Sequence, residues 1–364
     1  MTKFPAEPIL FKSLFKEKIW GGKDLLEKLA KAVPKDALIG ECWEVSAFDD
    51  NQTYIVNGIF KGKPLGEIYS EFKQEITGNL NFEIFPLLLK FIDSKEKLSV
   101  QVHPDDEQVL KYGTDRFGKT ECWYIIDAQK DSELIIGFKQ DVTNQDIKNS
   151  LNNGNLLSLL NTVKVYPGQV YLIPSGTVHA IMGKTLLYEI QQTSDTTFRL
   201  YDWDRKDKAG SSRQLHVKEA LEVSDKKSYP SYLVDPLVVS CKGYEHLYRA
   251  VCRYFSVEQY KFHDETVMVL PPKSSFQILT VLKGRLKLYY STGTLELTRG
   301  QTTLIPFILR NVKIISSVDT DIIICTTPDI PDEIIAPLSD KGFDISEIQR
   351  LGGFTKKNDL CKYN

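Results

Sequence analysis

The sequence predicts a mainly β protein, two jelly-roll barrels in tandem with α-helices inserted, and three observations carry that prediction. From about Glu121 onward, short β-branched and aromatic runs recur at regular spacing between Pro and Gly turns, which is the pattern of barrels and not of alternating strands and helices. Gly168-Gln-Val-Tyr-Leu-Ile-Pro174 is echoed by Gly300-Gln-Thr-Thr-Leu-Ile-Pro306, so one turn-strand-turn unit occurs twice. Only a few stretches place apolar residues at the three- and four-residue spacing of an amphipathic helix.

Taken in order, residues 23–33 (KDLLEKLAKAV) and 65–76 (LGEIYSEFKQEI) read as helices decorating one face. Pro104-Asp105-Asp106-Glu107 opens another short helix, with its acids in the first turn where the helix dipole favours them. CWYIIDA and ELIIGF follow as strands, then a helical stretch across residues 144–160, then strands in VKVYPGQVYLIPSGTVHAIM and TLLYEIQQTS. The Pro- and Ser-rich stretch at 226–236 is the expected boundary, which gives a catalytic, metal-binding unit over 1–235 and a second barrel over 236–328. Residues 329–364 are expected to add a surface helix and a frayed terminus.

Composition narrows the function classes. A chain of 364 residues is long enough for two well-buried cores. A net charge of −2 leaves no electrostatic footprint for nucleic acid, and no basic run suggests an anionic membrane. The first residues lack the apolar stretch of a signal peptide, and no later one has the length to cross a bilayer, so a cytoplasmic protein is expected. The six cysteines show no Cys-x-x-Cys spacing and read as buried hydrophobes or free thiols. Cys122, next to Glu121, is a bystander by strand alternation. No Gly-rich phosphate loop appears, which argues against a nucleotide-driven reaction.

The chemistry gathers in Gln101-Val102-His103, Glu121 and Gly168-x5-Pro174-x-Gly176-x2-His179. Strand geometry points Gln101 and His103 the same way, and a second β segment ending in His179 can close around them. Two imidazoles, a carboxylate and an amide oxygen suit zinc and leave manganese, iron and cobalt open; without a thiolate the set is unlike a structural zinc knot. The echo stops at this point, because Pro306 is followed by Phe307-Ile308-Leu309-Arg310, with neither the Gly nor the His. The second barrel is therefore expected to be structural.

The phrase from Gly168 to His179 resembles the second motif of the cupins, with Gly183 where that motif usually has Asn and with Glu121 far from Gln101-x-His103. Gln101-x-His103-Pro-Asp, Gly118-Lys119-Thr120-Glu121, Pro174-x-Gly176-Thr177-x-His179-Ala180 and Ser194-Asp195-x3-Arg199, in that order, resemble the type I mannose-6-phosphate isomerases. Ile19-Trp20-Gly21-Gly22 and Gly40-Glu41-Cys42-Trp43-Glu44-Val45-Ser46 are similar to the shorter bacterial members. The resemblance runs from about residue 8 to about residue 328.

That resemblance implies a tandem cupin fold and one zinc ion per chain on Gln101, His103, Glu121 and His179. It implies isomerisation of mannose 6-phosphate and fructose 6-phosphate through an enediolate. Lys119, two residues before Glu121 and expected on the same strand face, is similar to the family's lysine beside the metal. Arg199 resembles the family's active-site arginine, and Asp195 and Glu189, expected on one β segment, resemble its site carboxylates. Ser99 and Lys90 match positions that hold the substrate phosphate; His216 reads as supporting or structural, while His246 and His263 are given no role. After Arg199 the chain reads Leu200-Tyr201-Asp202-Trp203-Asp204-Arg205 where longer members have Ala-Gly, a departure that falls on the pocket rim. The expected partner is a small sugar phosphate, with the chain a monomer or weak homo-oligomer. A metal-dependent cupin oxygenase and a non-catalytic sugar-binding cupin are the rival readings, and neither needs a lysine and an arginine at these two positions.

Overall fold

The computed structural model describes residues 4–34, 37–206 and 210–363. Four main sheets, antiparallel throughout, build the two barrels. In the first, a six-stranded sheet runs Val170–Ile173, Glu121–Ala128, Thr185–Gln192, Leu87–Ser94, Leu14–Gly22, Ile39–Val45. It shares its barrel with a five-stranded sheet of Leu160–Lys164, Glu133–Phe138, His179–Ile181, Val100–Val102 and Phe198–Tyr201. The second barrel has an eight-stranded and a four-stranded sheet.

The chain's first strand does not join its nearest neighbours in sequence. Ile9–Lys12 pairs with Thr302–Ile305, Ile9 opposite Leu304, and so extends the eight-stranded sheet of the second barrel. One hydrophobic core then spans the two barrels, with Phe91, Cys122 and Tyr188 from the first packed with Val257, Ile278 and Cys325 from the second. A buried hydrogen bond of 2.7 Å between the Tyr188 hydroxyl and Thr280 Oγ1 fixes the registration of the two sheets. Cys122 faces this core while Glu121 faces the other way, as alternation requires. Residues 226–236 run along the edge strand, with Tyr232 and Val234 hydrogen-bonded to Leu172 and Val170.

Three expectations need correction. The helix read over 23–33 spans only Asp24–Leu29, because Ala30 turns left-handed at φ 54°. The stretch read as one helix over 65–76 is two, Leu65–Glu71 and Lys73–Thr77, separated where Phe72 leaves helical geometry. Phe72 packs its ring against Phe4 and Phe60, so the aromatic core outweighs local propensity there. The tail is no surface helix with a frayed end. Ile334, Leu338, Ile348, Leu351 and Leu360 are fully buried in the shared core, each worth roughly 1.5–3 kcal/mol of burial, which is ample to pin the segment. By contrast, the Pro104 reading holds: Asp106–Tyr112 is helical, and Asp105 and Gln108 close a capping box at its start.

Candidate metal centre

Cross-strand pairing brings the candidate ligands together. In the five-stranded sheet His179 lies directly opposite Gln101, and Gln101 directly opposite Arg199, so one row across three strands sends these side chains to the same face. His103 follows the end of the Val100–Val102 strand, and Glu121 opens a strand of the facing sheet. His103 Nε2 is 3.2 Å from Glu121 Oε1 and His179 Nε2 is 3.7 Å from Glu121 Oε2. The ligating atoms of these three residues all lie within 4.8 Å of one another.

The protonation state follows from the other ring nitrogens. His103 Nδ1 sits 2.8 Å from the Thr196 carbonyl and His179 Nδ1 2.9 Å from the Thr177 carbonyl. A carbonyl only accepts, so each Nδ1 carries the proton and each Nε2 presents its lone pair to the cluster. Burial, reinforced by the Lys119 charge, holds the His103 pKa down to about 3, and burial lowers that of His179 as well. Both rings are therefore neutral, as metal ligands must be. Burial opposes ionisation of Glu121, yet the Lys119 charge holds its pKa well below the ordinary carboxylate value.

His103 Nε2 and Glu121 Oε2 are buried without a hydrogen-bond partner. Lone pairs facing one another in a dry site are costly unless a cation lies between them, so this donor set fits a metal ion. Gln101 turns its amide nitrogen to His179 Nε2 at 3.5 Å and accepts from Ser99 Oγ at 3.4 Å. A half-turn of the nearly isosteric amide would give its oxygen to the cluster.

A cavity of 290 Å³ opens beside the cluster, and Gln101, Lys119, Glu121, Glu189, Asp195, Arg199, Lys90 and Ser99 all line it. Lys119 lies in the loop before the Glu121–Ala128 strand, not on the strand as expected, yet it is buried and its Nζ is 2.9 Å from Glu121 and 3.9 Å from Glu189. Glu189 is on the Thr185–Gln192 strand, but Asp195 is not; it stands exposed in the following loop, at the cavity mouth. Burial, then the Glu121 charge, pushes the Glu189 pKa up to about 8, which keeps a proton on it near neutral pH. Lys90, opposite Glu189 in the sheet and 3.5 Å from it, is buried; the Glu189 and Glu41 carboxylates outweigh that burial and raise its pKa.

Several residues of the site were not anticipated. Asp115 Oδ2 accepts from Ser194 Oγ at 2.8 Å and from the Asp195 amide at 2.9 Å, which locks the loop whose Thr196 carbonyl orients His103. Nothing in the sequence around Asp115 announces that role, since its partners lie about 80 residues away. Glu41 is held at a pKa of about 2 by Lys90 and Lys18, against its burial, and lines the cavity with Lys18. Arg213 lines the same cavity. His216 supports Arg199, accepting its backbone N–H at 3.3 Å through Nδ1. His246 is bound to Glu258 in the second barrel, away from this cavity.

Fold and site together define a double-barrel enzyme whose buried His-Glu-His cluster adjoins a lysine, an arginine and a protonated glutamate. Residues 9–139 match the family described as "Phosphomannose isomerase type I, catalytic domain". The chain is 38% identical over 312 residues to the mannose-6-phosphate isomerase ManA of Bacillus subtilis, a match that covers 85% of this chain and 96% of that protein. It is 33% identical to the mannose-6-phosphate isomerase of Streptococcus mutans over 84% of this chain and 94% of that one. The crystal structure of the B. subtilis mannose 6-phosphate isomerase superposes with a TM-score of 0.81 at 35% identity, over 88% of this chain and 99% of that one. The chain belongs to the type I mannose-6-phosphate isomerase family, a family of aldose–ketose isomerases.

Proposed function

We propose that the protein interconverts mannose 6-phosphate and fructose 6-phosphate through an enediolate, with zinc on Gln101, His103, Glu121 and His179. The observation that carries this reading is the pair of unpartnered acceptors, His103 Nε2 and Glu121 Oε2, next to a buried Lys119–Glu189 pair. When bound, the metal would polarise the sugar oxygens as a Lewis acid. The remaining work falls to the chain. Moving a proton between C1 and C2 needs a base that takes it from one carbon and returns it to the other. Glu189, pushed up to about 8, is assigned that role, its ionised form accepting the proton and its protonated form giving it back beside Lys119. Arg199 keeps its charge and faces the developing oxyanion. Asp195, at the mouth, is assigned to shuttle the ring-opening proton. Ser99 and Lys90 are assigned to the phosphate.

All of these residues fall within the unit expected over 1–235. Cytoplasmic location accords with six free cysteines and with the finding that no described helix is long and apolar enough to cross a membrane. We read the chain as a monomer or weak homo-oligomer. The decisive experiment measures fructose 6-phosphate formed from mannose 6-phosphate before and after chelation, with zinc added back. Loss on chelation and recovery with zinc are expected; no turnover with zinc fully bound, or a rate indifferent to chelation, would overturn the reading.

A further inference from the structure

The part of the cavity lining that Arg199 and Arg213 form carries more positive charge than it balances. Asp202, 5% exposed, is shared by two arginines there. Arg213 grips it with a fork, Nε to Oδ2 at 2.8 Å and Nη2 to Oδ1 at 2.6 Å, and Arg205 Nη2 takes Oδ1 at 2.5 Å. Arg199 stands beside them and, among the described residues, forms no ion pair; its Nη1 donates to the Gln214 carbonyl at 2.8 Å and its buried Nε has no partner. Burial, and then the Arg213 charge, lower the Arg199 pKa, so the two guanidiniums feel one another there. Like charges placed together and facing a cavity call for negative charge to offset them. Lys90 differs in this respect, since the Glu41 carboxylate already offsets it.

The backbone holds this arrangement at a cost. Trp203 and Asp204 are consecutive left-handed residues, at φ 59° and 52°, a conformation that a bulky side chain avoids unless its surroundings impose it. The surroundings are plain: Trp203 Nε1 donates to the Leu98 carbonyl at 2.6 Å, the Lys97 ammonium lies over its ring, and Arg205 reaches the Lys97 carbonyl. A bridge between Lys206 and Ser212 then returns the chain so that Arg213 meets Asp202. The turn after Arg199 thus spends strain to aim one side chain at the cavity that Arg199 lines.

We propose that Arg213, held beside Arg199 and aimed by Asp202, is a specificity-determining residue that clamps the phosphate of the sugar substrate, while Arg199 stays with the developing oxyanion. The clamp rests on the isomerase reading above and adds a second pole to the Ser99–Lys90 side. Planar guanidinium forks match phosphate oxygens in a way that a single ammonium does not.

The test uses the full-length, metal-loaded protein with inorganic phosphate as the binding probe, followed by calorimetry, and mannose 6-phosphate as substrate. Arg213→Gln should weaken inorganic phosphate about tenfold or more and raise KM for mannose 6-phosphate in parallel, with kcat kept within about threefold. Arg205→Gln removes the other partner of Asp202 from a residue that does not line the cavity, and should leave phosphate affinity within about twofold. Unchanged phosphate affinity in Arg213→Gln would overturn the clamp and leave phosphate to Ser99 and Lys90. An equal loss in Arg205→Gln would also overturn it, reducing Arg213 to a partner of Asp202. If the wild type turns over no mannose 6-phosphate while Arg213→Gln still loses inorganic phosphate, the isomerase reading fails and the anion clamp stands.

Discussion

Each barrel gathers a buried glutamate and lysine with a histidine, buried in the first barrel and partly buried in the second, and the two sets behave as opposites. In the second barrel Lys273 Nζ is 2.6 Å from Glu258 Oε1 and His246 Nε2 is 2.7 Å from Glu258 Oε2, so both carboxylate oxygens are satisfied. His246 also stacks on Tyr260 with ring centroids 4.2 Å apart. In the first barrel Lys119 takes Glu121 Oε1, but Glu121 Oε2 and His103 Nε2 are left over, and His179 adds a second lone pair. The same residue types make a closed ion cluster in one place and an open donor set in the other. A closed cluster stabilises a barrel; an open one waits for a ligand. The repeated turns at Gly168 and Gly300 show a contrast of their own. Gly168, at φ 86°, has open space around it, whereas Gly300, at φ 83°, also packs where an added Cβ would lie 2.1 Å from the Leu29 carbonyl.

Breaking the open cluster should have the largest effect. His179→Ala is expected to lower kcat by roughly 10³-fold or more with loss of bound metal, while His246→Ala keeps both; metal analysis beside the steady-state assay checks the pair. If His246→Ala costs as much activity, the division of labour between the barrels collapses. Breaking the closed cluster should appear in stability instead. Glu258→Gln strands a buried Lys273 and should cost about 3 kcal/mol at neutral pH by chemical denaturation. Lys273 and His246 outweigh burial and hold the Glu258 pKa at about 2, below its ordinary 4.5. Its stabilising contribution is therefore complete above about pH 4.5 and fades as the pH falls toward 2, so the variant and the wild type should converge in acid. A gap that persists to pH 2 would remove Glu258 as its source.

Asp115→Ala sharpens the comparison, because Asp115 is not itself in the donor set and acts through the Ser194–Thr196 loop, whose Thr196 carbonyl orients the His103 ring. It should cost about 10- to 100-fold in metal affinity or activity, against no change in the folding midpoint large enough to account for it. The smallest effect is expected in the paired turns. Gly168→Ala should cost about 1 kcal/mol for its left-handed backbone, and Gly300→Ala clearly more, since the Leu29 carbonyl must also move. Equal costs would mean that the repeated turn is energetically the same in both barrels.

Much of the site was legible because its residues fall in compact phrases. Gln101 lies on the strand as read and His103 just past its end, His179 closes a turn-strand-turn unit, and Glu121 heads a strand as read. Lys119, Glu189, Asp195 and Arg199 reach the same cavity, although Lys119 and Asp195 do so from loops. Asp115, Glu41, Lys18 and Arg213 were not legible, because each gains its meaning from partners distant in the chain. The tail misled for the same reason: its apolar residues look sparse in sequence until five of them converge on the shared core.

By itself, then, the sequence determined the strand-rich architecture, the repeated turn, the ligand types and the absence of the metal phrase from the second barrel. These are properties of spacing and side-chain chemistry, which a chain carries whatever its partners. Tertiary structure alone decided that His179, Gln101 and Arg199 stand in one cross-strand row and that the first strand joins the second barrel. It alone decided which buried glutamate is satisfied and which is left open. Strand register and desolvation are set by long-range pairing, and whether a buried lone pair is quenched depends on a neighbour that no local window contains.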